Sequence, residues 1–162
     1  MSQYGLSGAE VSALKNKYAG YTNRAANSRN FSPPLLYAVA YRETIHGELV
    51  GLWPSALTVV SGDGGHGLFQ LTSSYPAAWE DPLINALYAI DVFLKPAMDY
   101  WHGLENFTGD TLVLLVAATF NEGLSAARAY HASGNVDAGT TDHYGHGVLA
   151  YYKNLVEKGT PE

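Results

Sequence analysis

Glu43 and Asp63 lie twenty residues apart, Glu43 on the apolar stripe of a predicted helix and Asp63 inside the glycine-rich run Gly62-Asp63-Gly64-Gly65-His66-Gly67. A carboxyl group on a core-facing stripe must find a partner or hold a proton. A carboxylic acid that keeps its proton beside a carboxylate that does not is the pairing that glycosidic bond cleavage uses. The acid protonates the leaving oxygen, and the carboxylate orients a water or stabilises positive charge on the sugar ring. Each residue also has an ordinary reading. Glu43 could be a helix-terminal side chain paired with Arg42, and Asp63 could accept hydrogen bonds that stabilise its own turn.

Other chemistries find less support. His143 and His146 stand near Asp142, with His66 further upstream, but no third ligand follows at a metal-site spacing. Neither a metal nor a cofactor is therefore expected. No Gly-x-Ser-x-Gly elbow occurs, and the glycine-rich run lacks the Gly-Lys-Ser/Thr ending of a phosphate loop. The twelve tyrosines matter differently, because sugar rings stack their C–H faces on aromatic rings. Tyr75, Trp79, Tyr130 and Tyr144 are candidate groove walls on that ground.

The elements that would position these groups are mostly helical. Ser7-Gly8-Ala9-Glu10 forms a capping box ahead of Val11, Leu14, Tyr18 and Tyr21, which predicts a helix over about residues 7–27 that fades in the polar stretch 23–30. Ser32-Pro33-Pro34 opens a second helix, whose stripe Leu35, Leu36, Val39 and Ala40 carries Glu43 at its end. From Gly47 to Gly67 the glycines interrupt any pattern, so a loop or short β-hairpin is expected, with Leu57-Thr58-Val59-Val60 the best strand candidate. A third long helix is predicted from Pro82 to Trp101, kinked or ended early by Pro96. Thr108 to Phe120 reads as a central buried helix, Leu124 to His131 as a short one, and Thr141 to Glu157 as the last.

Composition sets the frame. With 162 residues, 47% hydrophobic and 15% charged, the chain is expected to form a single ordered domain, with a catalytic core over about residues 33–158. No cysteine is present, which removes a disulfide framework. A net charge of −6 argues against nucleic-acid binding, which needs basic patches. The opening Met1-Ser2-Gln3-Tyr4-Gly5 has neither the basic nor the apolar region of a signal peptide, and no apolar run is long enough to span a bilayer. The expectation is a cytoplasmically made monomer with no integral membrane association.

Three segments in order, Tyr41-Arg42-Glu43-Thr44, Gly67-Leu68-Phe69-Gln70-Leu71 and Ala117-Ala118-Thr119-Phe120-Asn121-Glu122-Gly123, resemble the motifs of goose-type lysozymes and soluble lytic transglycosylases. Those families carry a helix-ending Glu, a Gly-Leu-Met-Gln segment and an Ala-Tyr-Asn-x-Gly segment. The C-terminal Gly139-Thr140-Thr141-Asp142-His143-Tyr144, with Val148 and Tyr151-Tyr152 after it, resembles the goose-type branch. The likeness runs from about Pro33 to the end. Three positions depart from it. Phe69 replaces methionine, Phe120 replaces tyrosine, and Thr72 stands where goose-type enzymes carry a further aspartate.

The resemblance implies a mainly α, lysozyme-like fold with a small irregular or hairpin insert lining the cleft. It implies a muramidase that cleaves the β-1,4 bond between N-acetylmuramic acid and N-acetylglucosamine in peptidoglycan, as in a phage endolysin acting at the cell wall. Glu43 takes the general-acid place and Asp63 the place of a water-holding carboxylate. Gln70, Phe69, Thr72, Phe120, Asn121, Tyr144 and His66 are the candidate substrate-contacting residues. If Glu43 instead helps the muramyl 6-hydroxyl attack its own anomeric carbon, the product is a 1,6-anhydro sugar, as in a lytic transglycosylase. Chitin cleavage and a non-catalytic glycan-binding role are the further alternatives.

Overall fold

The computed structural model describes residues 7–159, so the opening five residues discussed above lie outside the described part. It is mainly α. Helix α1 (Gly8–Ser28) starts at the capping box: the Ser7 amide donates to Glu10 Oε2 at 2.7 Å and the Glu10 amide to Ser7 Oγ at 3.3 Å. The polar stretch does not end it early. Ala25 and Ala26 are fully buried, so the inner face continues to the last turn while Arg24, Asn27 and Ser28 are exposed.

Ser32 caps α2 (Pro33–Ala40), accepting from the Leu35 amide, with the prolines in the first turn where a missing N–H costs nothing. Every residue from Leu35 to Ala40 is buried. The expectation that Glu43 closes this helix is corrected by the structure. A π-helical turn over Tyr41–Ile45, in which the His46 amide donates to the Tyr41 carbonyl five residues back, carries the chain into α3 (His46–Leu49). Gly47, which reads as a breaker, sits inside that helix, and a Cβ there would lie 2.1 Å from the Trp53 ring.

Residues 51–81 are irregular. The expected strand at 57–60 is reduced to two single antiparallel bridges, Val60 with His66 and His66 with Leu71. Asn85 explains how so irregular a segment stays fixed. Its buried side chain accepts from the Phe69 amide at 3.0 Å and donates to the Trp79 and His66 carbonyls at 2.9 and 3.2 Å, replacing ladder bonds that a hairpin would supply. Gly67, at φ +67°, leaves no room for a Cβ beneath this amide, which would be 2.7 Å from Asn85 Nδ2.

Asp81 caps α4 (Pro82–Tyr88) through the Leu83 and Ile84 amides. Pro96 neither ends nor shortens the helix that follows. A π-helical turn over Ala89–Leu94 precedes it, the Lys95 amide reaching back five residues to the Ile90 carbonyl, and Pro96 enters the first turn of α5 (Lys95–Met98), where its missing N–H is tolerated. Another π-helical turn, Asp99–Leu104, completes the run.

Helix α6 (Gly109–Glu122) forms the centre, with Val113 and Leu115 to Thr119 buried. The Trp101 indole donates to Thr119 Oγ1 at 2.8 Å, and Thr119 donates to the Leu115 carbonyl, so the polar atoms of this layer are paired. After α7 (Leu124–Ala132) and the 3-10 turns Val136–Gly139 and Thr141–His143, the chain ends in α8 (Tyr144–Lys158), which packs against both α6 and α2. Among the described residues, no helix is long and apolar enough to cross a membrane.

Candidate active site

The π-helical turn aims Glu43 into a cleft of about 310 Å³ whose other walls are Trp53, Ser61, Asp63, Gln70, Leu71, Thr72, Phe93, Phe120 and Asn121. The floor comes from the helix carrying Glu43 and from α6, one wall from the irregular segment, and Phe93 from the π-helical turn after α4. Phe93 meets Phe120 edge to face at 6.1 Å, giving the cleft an apolar side opposite its polar one.

Glu43 is largely enclosed and meets solvent through the cleft. Tyr144 donates its hydroxyl to Glu43 Oε1 at 2.6 Å. Burial disfavours the charged carboxylate and pushes Glu43 up to about 7. The Tyr144 hydrogen bond and the Arg42 guanidinium pull in the opposite direction, and the Asp63 charge adds a smaller upward push. Burial first, and then the neighbouring Glu43, hold the Tyr144 phenol well above the ordinary tyrosine range, so it remains a donor.

Asp63 has the opposite character. It is exposed at the cleft rim, accepts from the Ser61 hydroxyl and, at 3.3 Å, from the Gly65 amide, and these bonds hold it below the usual carboxylate range. Its turn-stabilising role and its place in the cleft coexist. The cleft thus contains one carboxyl poised to hold a proton at neutral pH and one that is ionised.

The remaining candidates divide. Gln70, Thr72, Phe120 and Asn121 line the cleft. Gln70 adopts φ +49° and donates its amide to the Gly67 and Val59 carbonyls at 3.0 and 3.3 Å, so it braces the wall as well as forming it. Asn121 Oδ1 accepts from the Thr141 amide at 3.1 Å, tying α6 to the chain before α8. Phe69 is fully buried in the core, so its side chain is turned away from the cleft and its amide is taken by Asn85. His66 is stacked on Tyr75 at 3.9 Å with Trp79 against its edge, and none of the three lines the cleft. Tyr130 packs beside Gly139, also away from the cleft. His146 bonds Asp137 at 2.7 Å and is a structural partner there.

Sequence reasoning missed Trp53 and Phe93. Trp53 donates Nε1 to the Thr44 carbonyl at 3.0 Å, which locks its ring beside Glu43. A larger hollow of about 630 Å³ lies beyond Trp53, lined partly by Glu10 and Glu48. Those two carboxylates are occupied, Glu10 by Ser7, and Glu48 by the Tyr18 hydroxyl and the Ala56 amide, so the hollow offers less acid–base chemistry than the smaller cleft.

The chain matches no family model, and a search of curated proteins finds no match to it. The geometry of the cleft therefore carries the functional argument.

Proposed function

We propose that this protein is a peptidoglycan-cleaving glycosidase in which Glu43 is the general acid. The observation that carries the reading is the split between two carboxyls facing one cleft, Glu43 raised to about 7 and Asp63 lowered. At neutral pH Glu43 retains a substantial protonated fraction and can deliver its proton to the glycosidic oxygen as the C–O bond breaks. Tyr144 holds the carboxyl by Oε1 and stabilises it once it is ionised. Asp63, ionised at the rim, can orient a water toward the anomeric carbon or stabilise its positive charge. Trp53, Phe93 and Phe120 supply apolar faces for sugar rings, and Asn121 and Thr72 supply polar edges.

A second reading is favoured by Thr72. It lines the cleft without offering a carboxylate, and Asp63 is already engaged by its own turn. In this reading Glu43, after giving up its proton, acts as base toward the muramyl 6-hydroxyl and an anhydro product forms.

Digestion of purified peptidoglycan followed by mass spectrometry separates the two: reducing muramyl ends mark hydrolysis, and anhydromuramyl ends mark transglycosylation. The Glu43→Gln variant is expected to lose about 10²–10⁴-fold of the activity, the range a general acid contributes. Undiminished cleavage by that variant would exclude Glu43 as the acid. Binding without cleavage by the wild type would instead favour a glycan-binding domain, and cleavage of chitin alone would replace the substrate.

A further inference from the structure

We infer that Asp137, which does not line the cleft, is a positioning residue for Glu43, acting through the first turn of α8 and Tyr144. The chain enters α8 through two consecutive non-glycine residues in the left-handed region, Asp142 (φ 49°, ψ 44°) and His143 (φ 54°, ψ 46°). Such residues persist only where surrounding contacts over-determine them. His143, at the N-cap position, offers no capping side chain, so the first amides of α8 need acceptors from elsewhere.

Asp137 supplies them. Its carboxylate is buried and accepts from the Gly145 amide at 2.8 Å, the His146 amide at 2.9 Å, the His146 ring at 2.7 Å and the Thr140 hydroxyl at 2.5 Å. Thr140 Oγ1 in turn accepts from the Tyr144 amide at 3.1 Å. Three successive amides of α8, at Tyr144, Gly145 and His146, are thereby fixed by one carboxylate and the hydroxyl it holds. A negative group at a helix N-terminus is also favoured by the helix dipole. Gly145 allows the approach, since a Cβ there would fall 2.8 Å from Asp137 Oδ1.

The cleft residue Asn121 and Arg42, next to Glu43 in the chain, brace the same turn from the other side. Asn121 accepts from the Thr141 amide, and Arg42 reaches the Thr141 and Asp142 carbonyls at 3.4 and 3.5 Å with its guanidinium 5.4 Å from the Tyr144 ring centre. Because the backbone of Tyr144 is held at its amide, its hydroxyl reaches Glu43 at one fixed place. The titratable groups facing Asp137 are His146 on α8 and Glu122 on α6, while those facing Glu43 are Tyr144, Arg42 and Asp63.

The test needs no substrate, which separates its failure from failure of the glycosidase reading. Glutamate is labelled with carbon-13 at the carboxyl, and the Glu43 resonance is titrated in wild type, Asp137→Asn, Tyr144→Phe and the double variant. Asp137→Asn keeps the shape but turns an N–H pair toward amides that need an acceptor. Loss of the Tyr144 bond removes a contact that lowers Glu43, so both single variants should titrate at higher pH than wild type. The double variant should match Tyr144→Phe, with Asp137→Asn adding nothing once the hydroxyl is gone. Thermal unfolding and the resonances of residues in α1 show that each variant is folded. Should Asp137→Asn unfold, Thr140→Ser and Thr140→Val are titrated instead, and only valine should shift Glu43. A wild-type titration in folded Asp137→Asn, or additive shifts in the double variant, would overturn the inference.

Discussion

Replacing Glu43 by glutamine should stabilise the protein, and by an amount that depends on pH in a defined way. The carboxyl is raised from the ordinary value of 4.5 to about 7 by burial. Since the folded state then binds the proton more tightly than the unfolded state, folding is opposed as pH rises through this interval. Below about pH 4.5 the group is protonated in both states and contributes no difference. Between that value and about 7 the cost grows, and above it the cost is complete. At 1.36 kcal/mol per unit, the interval corresponds to about 3 kcal/mol.

Glutamine keeps an oxygen that can accept from Tyr144 and removes the ionisation. Glu43→Gln should therefore unfold with the wild type at pH 4 and be more stable by about 3 kcal/mol at pH 8. For a domain of this size that is a rise in Tm of about 6–12 °C. Paired denaturant and thermal melts across pH 4 to 8 read the effect directly. A variant that matches the wild type at both ends, or is less stable than it at pH 8, would show that Glu43 carries no burial cost. The acid assignment would then lose its physical basis. Coupled with lost cleavage, the expected result means that a residue retained at a cost in stability is retained for chemistry.

Two further perturbations probe the walls of the cleft. Asp63→Asn removes a charge that pushes Glu43 upward, so the fall in activity on the basic side, where Glu43 loses its proton, should move to lower pH while the rate drops; an unshifted pH profile would place Asp63 out of electrostatic reach. Gly47→Ala puts a Cβ 2.1 Å from the Trp53 ring, which should cost about 1–3 kcal/mol and displace the indole from the cleft, seen as a raised KM with a smaller change in kcat; unchanged tryptophan fluorescence and stability would refute this packing.

Helix positions were readable because their signals are local. The capping box at Ser7 and Glu10 and the Ser32-Pro33-Pro34 opening act within one turn of chain, and both are seen in the structure. The π-helical turns carried no such signal, because the extra residue in each is accommodated by what packs around it. Pro96 hinted at a break, but the wider turn before it allows the helix to continue. The irregular segment was legible as an interruption, whereas its anchor Asn85 was not singled out, although a lone amide between Ile84 and Ala86 in an apolar helix was the available clue. In the candidate site, Glu43, Asp63, Gln70, Thr72, Phe120 and Asn121 come together from distant stretches. The resemblance implies a place at the substrate for Phe69 and His66 as well, yet side chains adjacent in irregular backbone need not face the same way, and neither lines the cleft.

The π-helical turn explains why these stretches converge. Arg42, Glu43 and Thr44 are consecutive, yet each engages a different part of the chain. Arg42 reaches the Thr141 and Asp142 carbonyls, Glu43 receives the Tyr144 hydroxyl, and Thr44 donates to the buried Leu68 carbonyl at 2.6 Å while its own carbonyl accepts from Trp53. A regular helix would direct these three side chains about 100° apart, as its 3.6 residues per turn require. The inserted residue widens the turn and lets Thr44 and Ile45 remain buried while Glu43 faces the cleft. The contacts made by Thr44 fix the turn to the irregular wall, and those made by Arg42 and Glu43 fix it to α8. A carboxyl held from both sides has little freedom to swing toward bulk water and recover its solvation. Burial keeps the proton on Glu43, while the Tyr144 hydroxyl and the Arg42 guanidinium stand ready to stabilise the carboxylate once something in the cleft takes that proton.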